Sequence, residues 1–285
     1  MMSEQQDVKC RTVKMRDLTF DESLFISYKS NTLLDNLLST YGGFPKGVNY
    51  MIIGDPGVGK TTIILDFLAN VQINNPNARI LFISVEMNEI DLIIYMQRYP
   101  KFQDLNILFI ESDYDIKKHN WEIISEIVDE GWDIIAIDSF HELQGVVKEE
   151  ENIRMREAEG MILSFIKKQN KAQNERKRNT SFLTIQQVTK SGAFVGTNRL
   201  KHMITAMMEL RLENPRNVYS NRYALFSKHR RGDVGVRLYY SLNVTGDVLF
   251  DNERYIQDQR IQEARQNIST RMHELTSEFD NLFNQ

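Results

Sequence analysis

The sequence predicts an α/β fold: a mainly parallel central sheet, antiparallel strands added towards the C-terminal end, and a C-terminal helix. Three observations carry that expectation. Short β-branched runs at 49–54, 79–84, 106–111, 133–138 and 181–186 are separated by longer helical patterns, as in crossover units on a parallel sheet. After residue 200 the spacing shortens, and runs at 205–212, 222–229, 234–242 and 248–250 follow one another through short turns, as strands added to the sheet edge and joined partly as hairpins. A glycine-rich segment stands between the first strand and a helix-forming run, where a phosphate-binding loop belongs.

In chain order, residues 1–29 are mixed and polar and read as an arm that docks either on a neighbour or on the core. Residues 30–252 form the α/β core. The tail 253–285 lacks Gly and Pro and places Ile261, Ile268, Leu275 and Leu282 at seven-residue intervals, with Ala264, Met272 and Phe279 between them. It reads as one amphipathic helix whose stripe packs on its own domain or docks on an adjacent subunit or partner.

With 285 residues, 41% hydrophobic and 26% charged, the chain can bury one large core. No run approaches the roughly 18 uninterrupted apolar residues of a membrane span, and no apolar segment follows the start MMSEQQDVKC, so a cytoplasmic or equivalent intracellular location is expected, without membrane contact. The lone Cys10 leaves no intrachain disulfide and no cysteine-rich zinc site, and reads as a free thiol. None of the five histidines has ligand-like spacing to another. A formal net charge of −4 argues against coating nucleic acid by bulk charge, so any such contact falls to local basic patches.

Gly54-Asp55-Pro56-Gly57-Val58-Gly59-Lys60-Thr61, followed by Thr62, has the Gly-x4-Gly-Lys-Thr spacing. Its glycines let backbone N–H groups turn inward as an anion nest on a helix N-terminus; Lys60 reaches the β- and γ-phosphates of ATP and the Thr61 hydroxyl serves Mg²⁺. Asp138 ends the apolar strand at 133–138, at the tip where open parallel sheets bind ligands, and is the second Mg²⁺ residue. Glu86 follows the strand at 79–84, expected next to the phosphate-loop strand, and is the candidate general base or water-orienting carboxylate. Of the amides Gln186 and Gln187, the second is the better placed to meet a γ-phosphate or the attacking water. Beyond them, the segment 188–199 carries Lys190, Arg199, two glycines and Phe194, a composition suited to a mobile loop on a phosphate backbone.

The order of these features, with Val188-Thr189-Lys190-Ser191-Gly192, Arg199-Leu200-Lys201-His202-Met203 and Lys228-His229-Arg230-Arg231-Gly232, resembles the ATPase core of the RecA-like RadA/Sms proteins and of the related DnaB-type replicative helicases. The resemblance covers 30–251. It implies a RecA-like P-loop NTPase fold, ATP hydrolysis between subunits of a homo-oligomeric ring, hexameric by analogy, and single-stranded DNA in its channel. It also implies that Lys228 and Arg230 project into the neighbour's ATP site, and it adds Lys201 to Lys190 and Arg199 as DNA contacts. The chain departs from that pattern in lacking the cysteine-rich zinc module, in Gly196-Thr197-Asn198-Arg199, and in Arg231, where RadA proteins tend to carry an aromatic.

A helicase or branch-migration motor is the function these features support first. A strand-exchange recombinase filament and a KaiC-like regulatory ATPase are the alternatives. Two charged segments complete the reading. Residues 167–178 hold six basic side chains against one acid, either a solvated helix end or a nucleic-acid patch. Lys148-Glu149-Glu150-Glu151 is expected to be the acidic start of a helix.

Overall fold

The computed structural model describes residues 14, 16, 22–110, 119–187, 198–217 and 219–283. Among these residues nine strands form one sheet: β1 (Asn49–Gly54), β2 (Ile80–Ser84), β3 (Asn106–Phe109), β4 (Ile134–Asp138), β5 (Ser181–Gln186), β6 (Ala206–Leu212), β7 (Arg222–His229), β8 (Leu238–Leu242) and β9 (Val248–Phe250). Their order is β3-β2-β4-β5-β1-β6-β7-β8-β9. β1 through β6 are parallel, and β7, β8 and β9 are antiparallel to their neighbours. β6 therefore differs from the expectation for the late strands. It joins β1 in parallel, with Gly54 opposite Leu210, and on its other edge opens the antiparallel run β6-β7-β8-β9.

Eight α-helices accompany the sheet among the described residues: α1 (Asp35–Leu38), α2 (Lys60–Asn74), α3 (Glu89–Arg98), α4 (Asn120–Asp129), α5 (Phe140–Glu150), α6 (Met155–Asn170), α7 (Asn198–Met203) and α8 (Asn252–Phe283). Burial of both sheet faces explains why β1, β2 and β4 are apolar without alternation. Tyr50 and Ile52 of β1 pack with α1 and α2 residues such as Leu38, Ile64 and Phe67, while Met51 and Ile53 pack with Trp121, Phe140, Ile162 and Leu200 from α4 to α7.

The described end of the N-terminal arm docks on its own core. Tyr28 exchanges backbone hydrogen bonds with Phe44, at 2.9 and 2.8 Å, and its hydroxyl donates to Asp133 at 2.7 Å. Asp133 also accepts from the Arg79 backbone N–H at 2.8 Å and pairs with Arg178. Of the basic segment 167–178, Arg178 and Lys168 are thus held by carboxylates, the latter by Asp129 at 3.1 Å. The segment precedes β5, at the end of the sheet opposite the phosphate loop.

α8 anchors by its first turn. Tyr255 is buried, and Arg254 pairs with Glu213 at 2.7 Å and lies over the Tyr239 ring. Farther along, Ile261, Ile268 and Met272 are exposed, so these residues of the stripe do not pack on the chain's own domain. Among the described residues, no helix is long and apolar enough to cross a membrane.

Lys148 to Glu150 do not start a helix; they end α5, and α6 begins at Met155 with Glu157 in its first turn. Acids at a helix C-terminus oppose its dipole. Glu150 offsets that by accepting from the backbone N–H groups of Asn120 and Trp121, at 2.8 and 2.9 Å, and so closes the open N-terminus of α4. Glu150→Ala is expected to destabilise the fold by about 1–2 kcal/mol, the usual cost of losing such a cap. Glu149→Ala, at an exposed position with no capping role, should be neutral or slightly stabilising. Urea melts of the two variants check the pair.

Candidate nucleotide site

The phosphate loop leaves β1 at Gly54, where a Cβ would stand 2.5 Å from the Leu210 carbonyl oxygen, so the close approach of β6 requires glycine. Gly57 and Gly59 adopt φ of +75° and +97°, turning the chain so that α2 starts at Lys60. Between them Val58 is fully buried, which pins the loop to the core, and its carbonyl accepts a hydrogen bond from the Tyr240 hydroxyl at 2.9 Å. Leu242, two residues along β8, lies against Gly59.

Within this loop Lys60 donates to the carbonyls of Gly54 and Asp55, at 2.9 and 3.1 Å. Burial pulls its ammonium below the usual lysine range, against the opposing pull of Asp138, Glu86 and Asp55. Thr61 donates to the Asp138 carboxylate at 2.6 Å. Asp138 is buried at the tip of β4, and burial pushes its carboxyl up to about 6; the Thr61 hydrogen bond opposes the shift, Glu86 adds to it and Lys60 opposes it.

Contrary to the adjacency expected for the strand before Glu86, β2 does not neighbour β1; β4 and β5 lie between them. Glu86 reaches the site because the Asp138 carbonyl accepts the backbone N–H groups of Val85 and Glu86, at 2.8 and 3.1 Å, folding the end of β2 over the tip of β4. The resulting pocket, about 530 Å³, is lined by Gly54, Pro56, Gly57, Gly59, Lys60, Thr61, Thr62, Glu86, Asp138 and Gln187. Asp55 and Val58 belong to the same loop, Asp55 facing Arg211 at 3.8 Å.

Anion-binding backbone, a lysine, a hydroxyl and a buried carboxylate form the donor set of a nucleotide triphosphate with Mg²⁺. Thr61 and Asp138 offer hard oxygen ligands, and the described residues contain no cluster of three or more acidic, His or Cys side chains that would hold an ion alone. That composition fits Mg²⁺, which takes much of its coordination from phosphates and water.

Lys228 and Arg230 lie elsewhere. β7 runs antiparallel to β6, so Lys228 stands opposite Met207, and the Arg230 N–H donates to the Thr205 carbonyl, at the far end of the strands from the loop. Leu210, the neighbour of Gly54, stands five positions beyond Thr205, which is roughly 16 Å of strand. Both cations cap the C-terminal end of α7: Lys228 donates to the carbonyls of Lys201 and Ile204, the latter at 2.9 Å, and Arg230 to that of His202 at 2.8 Å. Lys201 is exposed on α7. The backbone of Arg199 lies in the first turn of that helix, so the expected loop 188–199 ends earlier; Lys190, residues 188–197 and the Arg199 side chain fall outside the described residues.

Sequence reasoning missed Met87, Tyr95 and Leu242 in the pocket wall, and Tyr240 behind it. Tyr95 shares a hydrogen bond with the Thr62 hydroxyl, and burial pushes its phenol up to about 12. Tyr240 and Leu242 sit at alternate positions of β8, which is the only sequence signal that they face one way.

The raised Asp138 carboxyl has a consequence for stability in the absence of nucleotide and Mg²⁺. A folded-state value near 6 against an ordinary 3.8 means that ionised Asp138 opposes folding, fully above about pH 6, and that the penalty vanishes below about pH 4. Asp138→Asn should stabilise the ligand-free protein at pH 7.5 by up to about 3 kcal/mol, with the gain shrinking to near zero by pH 4. Chemical denaturation of both proteins across that range measures it.

A family model described as "ATPase: KaiC" matches residues 32–241. Two curated relatives are each called "DNA repair protein RadA". The one from Pseudomonas aeruginosa is 26% identical over 184 residues, covering 62% of this chain and 36% of the relative. The one from Listeria monocytogenes is 26% identical over 170 residues, covering 59% and 34%. The chain thus spans about a third of the length of these relatives. Among solved structures, a KaiC-like protein from Pyrococcus horikoshii shares 18% identity with a TM-score of 0.56, covering 80% of this chain and 98% of its own. The flagellar accessory protein FlaH from Methanocaldococcus jannaschii shares 13% identity with the same TM-score, covering 80% and 97%. Both likenesses concern the fold: an α/β, RecA-like core with a mostly parallel sheet and antiparallel C-terminal strands.

Proposed function

We propose that this chain, which belongs to the KaiC ATPase family, is an ATP-hydrolysing DNA motor whose catalytic sites form between copies of it. The observation that carries the assembly part is the separation just described. One end of the sheet holds the phosphate loop, Asp138 and Glu86, and the other holds Lys228 and Arg230. Head-to-tail contact joins the two ends of different copies, in a closed ring or, failing closure, in a filament.

In this reading, the loop N–H groups and Lys60 hold the β- and γ-phosphates, and Lys60 exchanges its hydrogen bonds to Gly54 and Asp55 for phosphate oxygens. Mg²⁺, held by Thr61 and Asp138, would neutralise phosphate charge when bound. Glu86 accepts or orients a proton of the attacking water, and Gln187 at the pocket rim meets the γ-phosphate side. Lys228 and Arg230 of the adjoining copy stabilise charge on the transferring group, having let go of the α7 carbonyls. That exchange gives a physical link between hydrolysis and α7, which carries Arg199 and Lys201 next to the segment bearing Lys190. The DNA part rests on those cations and on the similarity to proteins named for DNA repair. The KaiC family match favours a second reading, a nucleotide switch that acts on a protein partner.

Turnover with and without single-stranded DNA separates the readings. A motor is stimulated by the strand; a switch is not. Lys60→Ala and Arg230→Ala should each lower turnover by roughly 10²-fold or more. Mixing the two inactive proteins should restore part of it, because a mixed contact pairs an intact loop with an intact finger. No rescue in demonstrably mixed oligomers contradicts catalysis between copies.

A further inference from the structure

Two surfaces outside the pocket expose more apolar side chain than a lone chain has reason to. On α3, directly after Glu86, Ile90, Ile93 and Ile94 are 68%, 41% and 59% exposed. Their i, i+3, i+4 spacing puts them on one helix face, while Leu92, fully buried, fastens the other to the core. The acids Glu86, Glu89 and Asp91 are exposed on the same segment, and Glu89 and Asp91 form no ion pair among the described residues.

The second surface is a groove of about 410 Å³ at the other end of the sheet, bordered by Phe25, Tyr41, Pro45, Arg230 and Arg231. Tyr41 is 74% exposed and meets Phe25 edge-on at 6.3 Å, and Ile26 beside them is 61% exposed. Both arginines are exposed; Arg230 donates to the His202 carbonyl and Arg231 to that of Lys46 at 3.2 Å. A carbonyl accepts a hydrogen bond without cancelling the charge, and neither arginine forms an ion pair among the described residues, so the groove has a positive edge.

We infer that the α3 face of one copy seats in the Phe25–Tyr41 groove of the next. This deepens the reading of catalysis between copies and rests on it. The occupant is a second copy for two reasons. The apolar patches have matching charge at their margins, acidic on α3 and basic at the groove. Each is also continuous with one half of the divided catalytic set: α3 follows Glu86, and the groove includes Arg230. Seating one in the other brings Arg230 towards the pocket that Glu86 lines and removes both patches from water together. The contact is heterologous, joining different surfaces on the two copies, as the separation of loop and finger demands.

The test is cross-linking in the full chain with Cys10→Ser as background. Ile94→Cys and Tyr41→Cys are made in separate preparations and treated with a short bismaleimide, alone and mixed, with ATP and Mg²⁺. The inference predicts a covalent dimer in the mixture and none from either preparation alone. A dimer of Ile94→Cys with itself means a two-fold contact through α3 and overturns it, as does the absence of any dimer in the mixture. Ile90→Asp with Ile94→Asp provides a second readout: these positions are exposed, so the melting curve should hold while sedimentation velocity shows loss of assembly. Unchanged assembly refutes the docking. Rescue between Lys60→Ala and Arg230→Ala without a 94–41 cross-link would defeat this contact alone and leave catalysis between copies standing; loss of both would defeat both.

Discussion

A parallel strand presents its loop at one end only, and that constraint organises the molecule. β1 lies between β5 and β6, with all three parallel, so the loop following Gly54 opens at the same sheet end as the tips of β4 and β5. Asp138 and Gln187 come to the pocket from those tips, and Glu86 comes by the backbone bonds that fold β2 over Asp138. The antiparallel return of β7 carries Lys228 and Arg230 to the other end. Reversing that one strand direction would place the cations beside the loop, and the proposed mechanism would then call for no second copy.

The C-terminal meander supports the loop from behind. Tyr240 holds the Val58 carbonyl, Leu242 fills the space beside Gly59, and the turn before β9 is tied to α2 through Lys101. Lys101 sits between buried Asp66 of α2 and Asp247 of that turn, and keeps the Asp247 carboxyl down at about 2. Asp66 also accepts the Val248 N–H at 3.2 Å. α8 leaves directly from β9, so the helix with the exposed stripe is joined by a short, well-bonded path to the phosphate loop.

The strands, the phosphate loop and Asp138 were legible in the sequence because each rests on local chemistry: apolar runs, glycines at positive φ, a carboxylate at a strand end. Strand order was not, since nothing in the residues 79–86 says that two strands separate β2 from β1. The parallel pairing of β6 was hidden for the same reason. Glu150 misled because its acid neighbours resemble a helix start, while its partner N–H groups lie some thirty residues away, at Asn120 and Trp121. Tyr95 and Tyr240 carry no motif and become part of the site only through tertiary contact. The C-terminal stripe was legible as a helix, but periodicity does not say which surface covers it, and Ile261 and Ile268 remain uncovered in the single chain.

In the proposed mechanism one chain holds only part of a catalytic site. The most direct measurement is specific ATPase activity over a dilution series, with sedimentation velocity at each concentration. Turnover per chain should fall with the oligomer fraction and reach background where the protein is monomeric, while nucleotide binding persists there. Undiminished turnover per chain in a demonstrated monomer would contradict it.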